Sequence, residues 1–214
     1  MEKKMGLSNL MNNKFQGIKQ IFLHGDKCDG RVIGSPSYTK VGHFYPSDLD
    51  HIKNGLEYLI KRKIIDVNKP FFDAGAGDGR VIVITACIYG IPSFGLEYDM
   101  QVVKDGIWKI NRLKKEKLLT QEVPMLLMQG DFTKDDDYEK LGLRFEDIGT
   151  VFNFDNNYLR IAKKMAKQSP SGTIFLFKRI AQRIESFDRL KFHKQITLSN
   201  DKEASYNLCV YKKL

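Results

Sequence analysis

The stretch Phe72-Asp73-Ala74-Gly75-Ala76-Gly77-Asp78-Gly79-Arg80 decides how the rest of this 214-residue chain is read. The apolar pair Phe71-Phe72 leads into it and the nearly all-apolar run Val81 to Ile88 follows. The first reads as the end of a strand and the second as a buried helix, so the glycines lie on a strand-to-helix turn. Glycines at alternate positions let the backbone turn tightly and approach a ligand without interference from a Cβ. Their N–H groups lie beside a helix N-terminus, where an anionic group is favoured. The spacing narrows the ligand. A dinucleotide fingerprint is Gly-x-Gly-x-x-Gly, and a P-loop ends in Gly-Lys-Ser/Thr. Here the pattern is Gly-x-Gly-x-Gly, with Asp73 two residues before Gly75. A carboxylate so placed repels a pyrophosphate and suits a ligand carrying a cationic amine.

Downstream, short apolar runs alternate with helical ones. Residues 93–97, 124–129, 150–154 and 173–177 read as strands, and 99–117 and 158–167 as helices. In 99–117 the helical spacing puts Val103, Ile107, Ile110 and Lys114 on one face. This alternation means a parallel sheet with crossover helices. Residues 192–198 and 204–212, around the turn-prone Ser199-Asn200-Asp201, end the chain in an antiparallel hairpin. The expected fold is therefore α/β: a doubly wound, mostly parallel, seven-stranded sheet with helices on both faces. The second strand ends in Glu97, with Tyr98 beside it, and the third in Gly130-Asp131-Phe132. Open α/β sheets bind ligands at the carboxyl ends of their strands, where Asp73, Glu97 and Asp131 would stand together. A strand-end acid can accept from a ribose diol, and an Asp followed by an aromatic can bond and stack on a base. Upstream, Leu49, Ile52, Leu56, Leu59 and Ile60 make 47–63 an amphipathic helix, with Ser47 as its cap and Asp50 three residues on. Residues 1–45 lack a sustained period and are rich in turn signals. They read as a loop-rich arm with one short helix at 15–23, ahead of a domain over 46–214.

Composition bounds the class. With 42% hydrophobic and 29% charged residues, the chain is ordinary globular material. It has no apolar run long enough to span a membrane and no secretory signal pattern at Met1 to Leu10. Cys28, Cys87 and Cys209 form no Cys-x-x-Cys pair, so neither a disulfide framework nor a metal site is expected, and a reducing cytoplasmic setting fits. Lys and Arg total 35 against 26 Asp and Glu, a formal net charge of +9. Residues 46–177 balance, at 19 of each sign, so the excess lies in the two ends of the chain. The N-terminal arm and the connection 178–191, with Lys178, Arg179, Arg183, Arg189 and Lys191, are the expected docking surface for an acidic partner.

The succession Asp73-x-Gly75-x-Gly77-x-Gly79, then Glu97, Gly130-Asp131-Phe132 and Asn153, resembles the class I methyltransferases that use S-adenosyl-L-methionine, over roughly residues 45 to 214. The resemblance implies that the glycine loop holds the methionine end, Glu97 the ribose, and Asp131 with Phe132 the adenine. It puts Asn153 beside the transferred methyl.

The acceptor is read from the segment Asn153-Phe154-Asp155-Asn156-Asn157-Tyr158. Base-amino methyltransferases carry Asn/Asp-Pro-Pro-Tyr/Phe there, and no proline stands at these positions. Cytosine C5 methylation needs a nucleophilic cysteine, and none lies nearby. Phe44-Tyr45-Pro46-Ser47, a helix and the glycine loop are similar to the seven-stranded, non-SET protein lysine methyltransferases. The expected reaction is thus methyl transfer to a protein lysine. RNA or DNA is the alternative acceptor, and a binding subunit without catalysis is a second alternative. A lysine amine must arrive neutral, and a dry pocket walled by Tyr45, Phe154 and Tyr158 disfavours its charged form. Asp155 would take the proton or orient the amine, or else cap the helix that follows. Tyr45 would line the pocket, or else staple the helix it precedes.

Overall fold

A computed structural model describes residues 2–28, 37–39, 42–119, 123–155, 157–179, 184–200 and 205–214. Helix α1 (Glu2–Cys28) is followed by a small antiparallel pair, β1 (Ser37–Thr39) and β2 (Gly42–Phe44), and by α2 (Leu49–Lys61). Then come β3 (Phe71–Ala74), α3 (Arg80–Tyr89), β4 (Ser93–Glu97), α4 (Met100–Lys115), β5 (Met125–Gln129) and α5 (Asp135–Lys140). The chain closes with β6 (Thr150–Phe154), α6 (Tyr158–Gln168), β7 (Ile174–Arg179), β8 (Leu190–Asn200) and β9 (Ser205–Lys213). Seven strands form one sheet in the order β5-β4-β3-β6-β7-β9-β8. β3 pairs in parallel with β4 and β6, while β9 runs antiparallel to both β7 and β8. The doubly wound sheet with a terminal hairpin is thus as expected. Residues 201–204, where the expected hairpin turn ends, lie outside the described residues.

The inner strands of the sheet are buried on both faces. Side chains alternate along a strand, so Phe71, Phe152, Ile174 and Leu176 face a core built with α1, α2, α3 and α4. Phe72, Val151, Phe175 and Phe177 face a second core with α5 and α6.

Three expectations need correction. Residues 2–28 are not a loop-rich stretch with one short helix: a 27-residue helix occupies Glu2–Cys28, and Phe15, Ile18, Ile21 and Phe22 bury one face of it in the main core. Gly25-Asp26 reads as a turn signal, but a Cβ on Gly25 would stand 2.4 Å from Lys109 Cε, and one on Gly17 2.9 Å from Leu118 Cδ1. They are contact points where another element comes close. The cap of α2 is Asp48, whose Oδ1 accepts from the His51 N–H at 2.9 Å. Ser47, one residue earlier, instead offers its carbonyl to Arg80. In α4 the buried face holds Val102, Val103, Gly106, Lys109, Ile110 and Leu113, while Ile107 and Lys114 point outward. The buried Lys109 made the true stripe look polar.

Candidate functional site

A cavity of about 620 Å³ opens at the carboxyl ends of β3, β4, β5 and β6. Asp73, Gly75, Glu97, Tyr98, Asp131 and Phe132 line it, together with Tyr45, Phe154 and Asp155. Most of the residues singled out in the sequence therefore meet in one place. Gly77, Gly79 and Asn153 stand behind its wall.

The glycines of the loop do different jobs. Gly75 has φ +83° and open space where a Cβ would be, so it keeps the floor of the cavity free. Gly77, with φ +55°, would place a Cβ 2.2 Å from Phe44 Cε2, so its bareness seats the Phe44 ring on the loop. Gly79 is the left-handed N-cap of α3.

The three acids differ in state. Asp73 is fully buried, and its Oδ1 has no hydrogen-bond partner among the described residues. Burial, with Glu97 and Asp78 nearby, raises its carboxyl well above the usual range, against the opposing pull of Lys178. A cationic group in the cavity would relieve that cost. Glu97 accepts the Gly77 N–H at 2.9 Å and the Asp99 N–H at 3.0 Å. Burial raises its pKa, and the amides of Asp99, Gly77 and Tyr98 oppose this. A carboxylate has about four lone-pair sites, so capacity remains for two hydroxyls. Asp131 Oδ1 accepts from both the N–H and the hydroxyl of Thr133, at 2.9 and 2.7 Å. The acid thus shapes its own loop.

Arg80 was not singled out by sequence reasoning. Its side chain is buried and each nitrogen has a partner: Nε donates to Asp78 Oδ1 at 2.9 Å, Nη1 to the Ser47 carbonyl at 3.0 Å, and Nη2 to Asp26 Oδ1 at 2.8 Å. Lys109 Nζ completes the network at 2.7 Å from Asp78 and 2.9 Å from Asp105. Burial would raise Asp78, but Arg80 and Lys109 outweigh it and hold the carboxyl well below its usual range. The glycine loop is thereby tied to α1, α4 and the start of α2. The run Asp78-Gly79-Arg80 in a glycine loop carries no periodicity, so nothing in the sequence pointed to the distant partners of Arg80.

At the other end of the cavity, Tyr45 meets Phe154 edge-on, with ring centroids 6.3 Å apart. Tyr45 and Phe154 thus meet on the cavity wall that both line, and Asp48 caps the start of α2. Tyr158 does not join this wall: it stacks on Phe177 at 4.6 Å. Asn153 is fully buried, and its Nδ2 donates to the Ala74 carbonyl at 2.6 Å, sewing β6 to the end of β3. Asp155 and Asn157 both have left-handed backbones, with φ +44° and +54°, and both line the cavity, along with Arg160. Asn157, not Asp155, stands at the N-cap of α6. Burial raises the Asp155 carboxyl, with Arg179 opposing. Asn156 lies outside the described residues. Neither Cys87 nor Cys209 lines the cavity, and burial pushes the Cys87 thiol up to about 11.

Of the cations expected to make a basic surface over 178–191, Arg189 and Lys191 are exposed, but two others are not. Lys178 and Arg179 close the central strand β7 and are buried, and Arg179 Nη1 meets Glu185 Oε1 at 2.8 Å. Arg183 lies outside the described residues.

No family model matches the chain, and no curated protein does. Solved structures do. An RNA methyltransferase from Salinibacter ruber, in complex with S-adenosyl-L-homocysteine, is 18% identical, with 78% of this chain and 93% of that one covered and a TM-score of 0.52. An rRNA methylase from Streptococcus thermophilus is 14% identical over 78% and 93%, with a TM-score of 0.51. Geranyl diphosphate C-methyltransferase from Streptomyces coelicolor A3(2), in complex with Mg2+, geranyl diphosphate and S-adenosyl-L-homocysteine, is 10% identical over 75% and 77%, with a TM-score of 0.52. The chain has the Rossmann-like fold of the class I methyltransferases. No helix among the described residues is long and apolar enough to cross a membrane.

Proposed function

We propose that the chain is an S-adenosyl-L-methionine-dependent methyltransferase whose acceptor is RNA. The observation that carries the methyltransferase reading is the convergence of Asp73, Glu97 and Asp131 on one cavity, each at the end of a successive strand. The cofactor would supply an electrophilic methyl on a sulfonium, leaving the protein mainly to position the acceptor. Asp73 would hold its ammonium group, which suits a buried carboxyl with an unpartnered oxygen. Glu97 would take the ribose diol, and Asp131, Phe132 and Tyr98 the adenine. Gly75 leaves the room this needs. Asn153 would act from behind the wall, by fixing the end of β6. Tyr45 and Phe154 would wall the acceptor, and Asp155, with its raised proton affinity, would accept the proton it releases.

RNA is favoured by the solved structures of like fold, two of which are named for RNA substrates. Protein lysine is the second reading, and the aromatic pair Tyr45 and Phe154 favours it. An acidic partner on the N-terminal segment and 178–191 belongs to that second reading. Calorimetry with S-adenosyl-L-homocysteine tests the cofactor. Binding is expected, and Glu97→Ala should weaken it by about 1–3 kcal/mol. No heat from folded protein would sink the methyltransferase reading. Labelled methyl transferred in cell extract, then digested separately by nuclease and by protease, decides the acceptor: loss of label under protease alone would return it to lysine.

A further inference from the structure

A second, shallower groove adjoins the cavity, and Thr133 and Arg160 line both. Its remaining walls are Asp135, Lys163, Lys164, Lys167 and Gln168. Helix α6 supplies most of it. Over 11 residues that helix carries Arg160, Lys163, Lys164 and Lys167 and no acid. Ile161, Ala162 and Met165 bury its inner face. Arg160, Lys163 and Lys167, spaced three and four apart, share the outer face and are exposed.

These three cations have no ion-pair partner among the described residues and share one helix face, whereas some exposed cations elsewhere are paired within their own helix. Lys61 on α2 meets Glu57, and Arg112 on α4 meets Glu116, each four residues away. The one acid in the α6 groove, Asp135, is taken by Lys164 and by Gln168 Nε2 at 3.2 Å. No ion pair among the described residues reaches Arg160, Lys163 or Lys167. The helical rise sets Arg160 and Lys167 about 10 Å apart along the axis, a length that a few nucleotides of single strand cover. Every lining residue is polar. A protein partner binds through buried apolar anchors, which this groove does not offer. A phosphate backbone needs only cations in a row.

We propose that the outer face of α6, with the 133–135 loop, is a docking track for the phosphate backbone of single-stranded RNA, leading it to the cavity mouth at Arg160. The inference rests on the RNA reading of the site and names the surface that reading requires. Lys163 and Lys167 lie outside the cofactor cavity, so they can be changed without touching it.

The test is fluorescence anisotropy of a labelled uridine 20-mer with the full chain, in saturating S-adenosyl-L-homocysteine, over a salt series. The double variant Lys163→Gln/Lys167→Gln should lose affinity tenfold or more. Its slope of log affinity against log salt should flatten by about 1.4, at about 0.7 per lost phosphate contact on a single strand. The control Lys114→Gln/Lys115→Gln, the same charge change on exposed residues of α4, should bind the oligomer as the parent does. Calorimetry with S-adenosyl-L-homocysteine should match in all three proteins, which also reports their folding. Equal losses in both variants would reduce the effect to net charge and overturn the proposal. Binding of polyglutamate, but not of the uridine oligomer, through Lys163 and Lys167 would overturn it in favour of an acidic protein. Loss of cofactor binding in the parent itself would strike the enzymatic reading instead.

Discussion

Arg80 shows how much of this site hangs on one side chain. Its guanidinium serves two carboxylates and a carbonyl from three separate segments. Removing one partner of a buried ion pair leaves the others uncompensated, at about 3–5 kcal/mol. Arg80→Met should therefore lower the unfolding free energy in urea by about 3 kcal/mol, with the slope unchanged. A loss below about 1 kcal/mol would mean that Lys109 alone suffices for Asp78 and Asp26. Lys178 has the opposite sign. Its amine is buried, with Nζ 4.0 Å from the Phe154 ring centroid and 5.1 Å from that of Tyr206. Burial pulls its pKa down from 10.5 to about 7; Asp48 and Asp73 oppose the fall and Arg80 adds to it. Between those two values the unfolded chain binds a proton that the folded chain does not, so stability rises with pH across that window. Lys178→Met should stabilise the protein by about 1–4 kcal/mol, more at pH 6 than at pH 9. A gain independent of pH would remove the titration from the account.

At the scale of elements, legibility followed periodicity. The strands β3 to β7 and the glycine turn were readable because apolar runs and turn residues alternate over short distances. Helix α1 was not. Its buried stripe is only Phe15, Ile18, Ile21 and Phe22, and Asn12-Asn13, Gly17 and Gly25-Asp26 interrupt it with residues that usually mark turns. Gly17 and Gly25 are there because Leu118 and Lys109 press against the helix, a requirement set by elements far along the chain. The stripe of α4 was misplaced for a related reason: a lysine is buried in it, paired with acids that are distant in sequence or one turn away. The acids of the cavity were legible because each stands at or beside a strand end. Asn153 stands one residue before the end of β6, but its side chain is buried and donates to the Ala74 carbonyl, and a place near a strand end does not reveal such a partner.

Over the whole molecule, the charge count misled by being linear. Residues 46–177 balance along the sequence, yet in space α6 gathers four cations with no acid of its own, while several acids of that span serve caps, the cavity and buried pairs. The network around Arg80 carries a consequence of another kind. Because Asp26 of α1 and the glycine loop share one guanidinium, whatever binds the loop also holds the N-terminal helix down. A ligand at a hundred times its dissociation constant adds about 2.7 kcal/mol to the bound form. Amide hydrogens of α1 around residues 15–26, which touch no ligand, should then exchange with deuterium more slowly once S-adenosyl-L-homocysteine is present, and that gain should vanish in Arg80→Met. Exchange in α1 that ignores the ligand would show the helix and the loop to be separate cooperative units, so that the first residues of the chain could open while the cofactor stays in place.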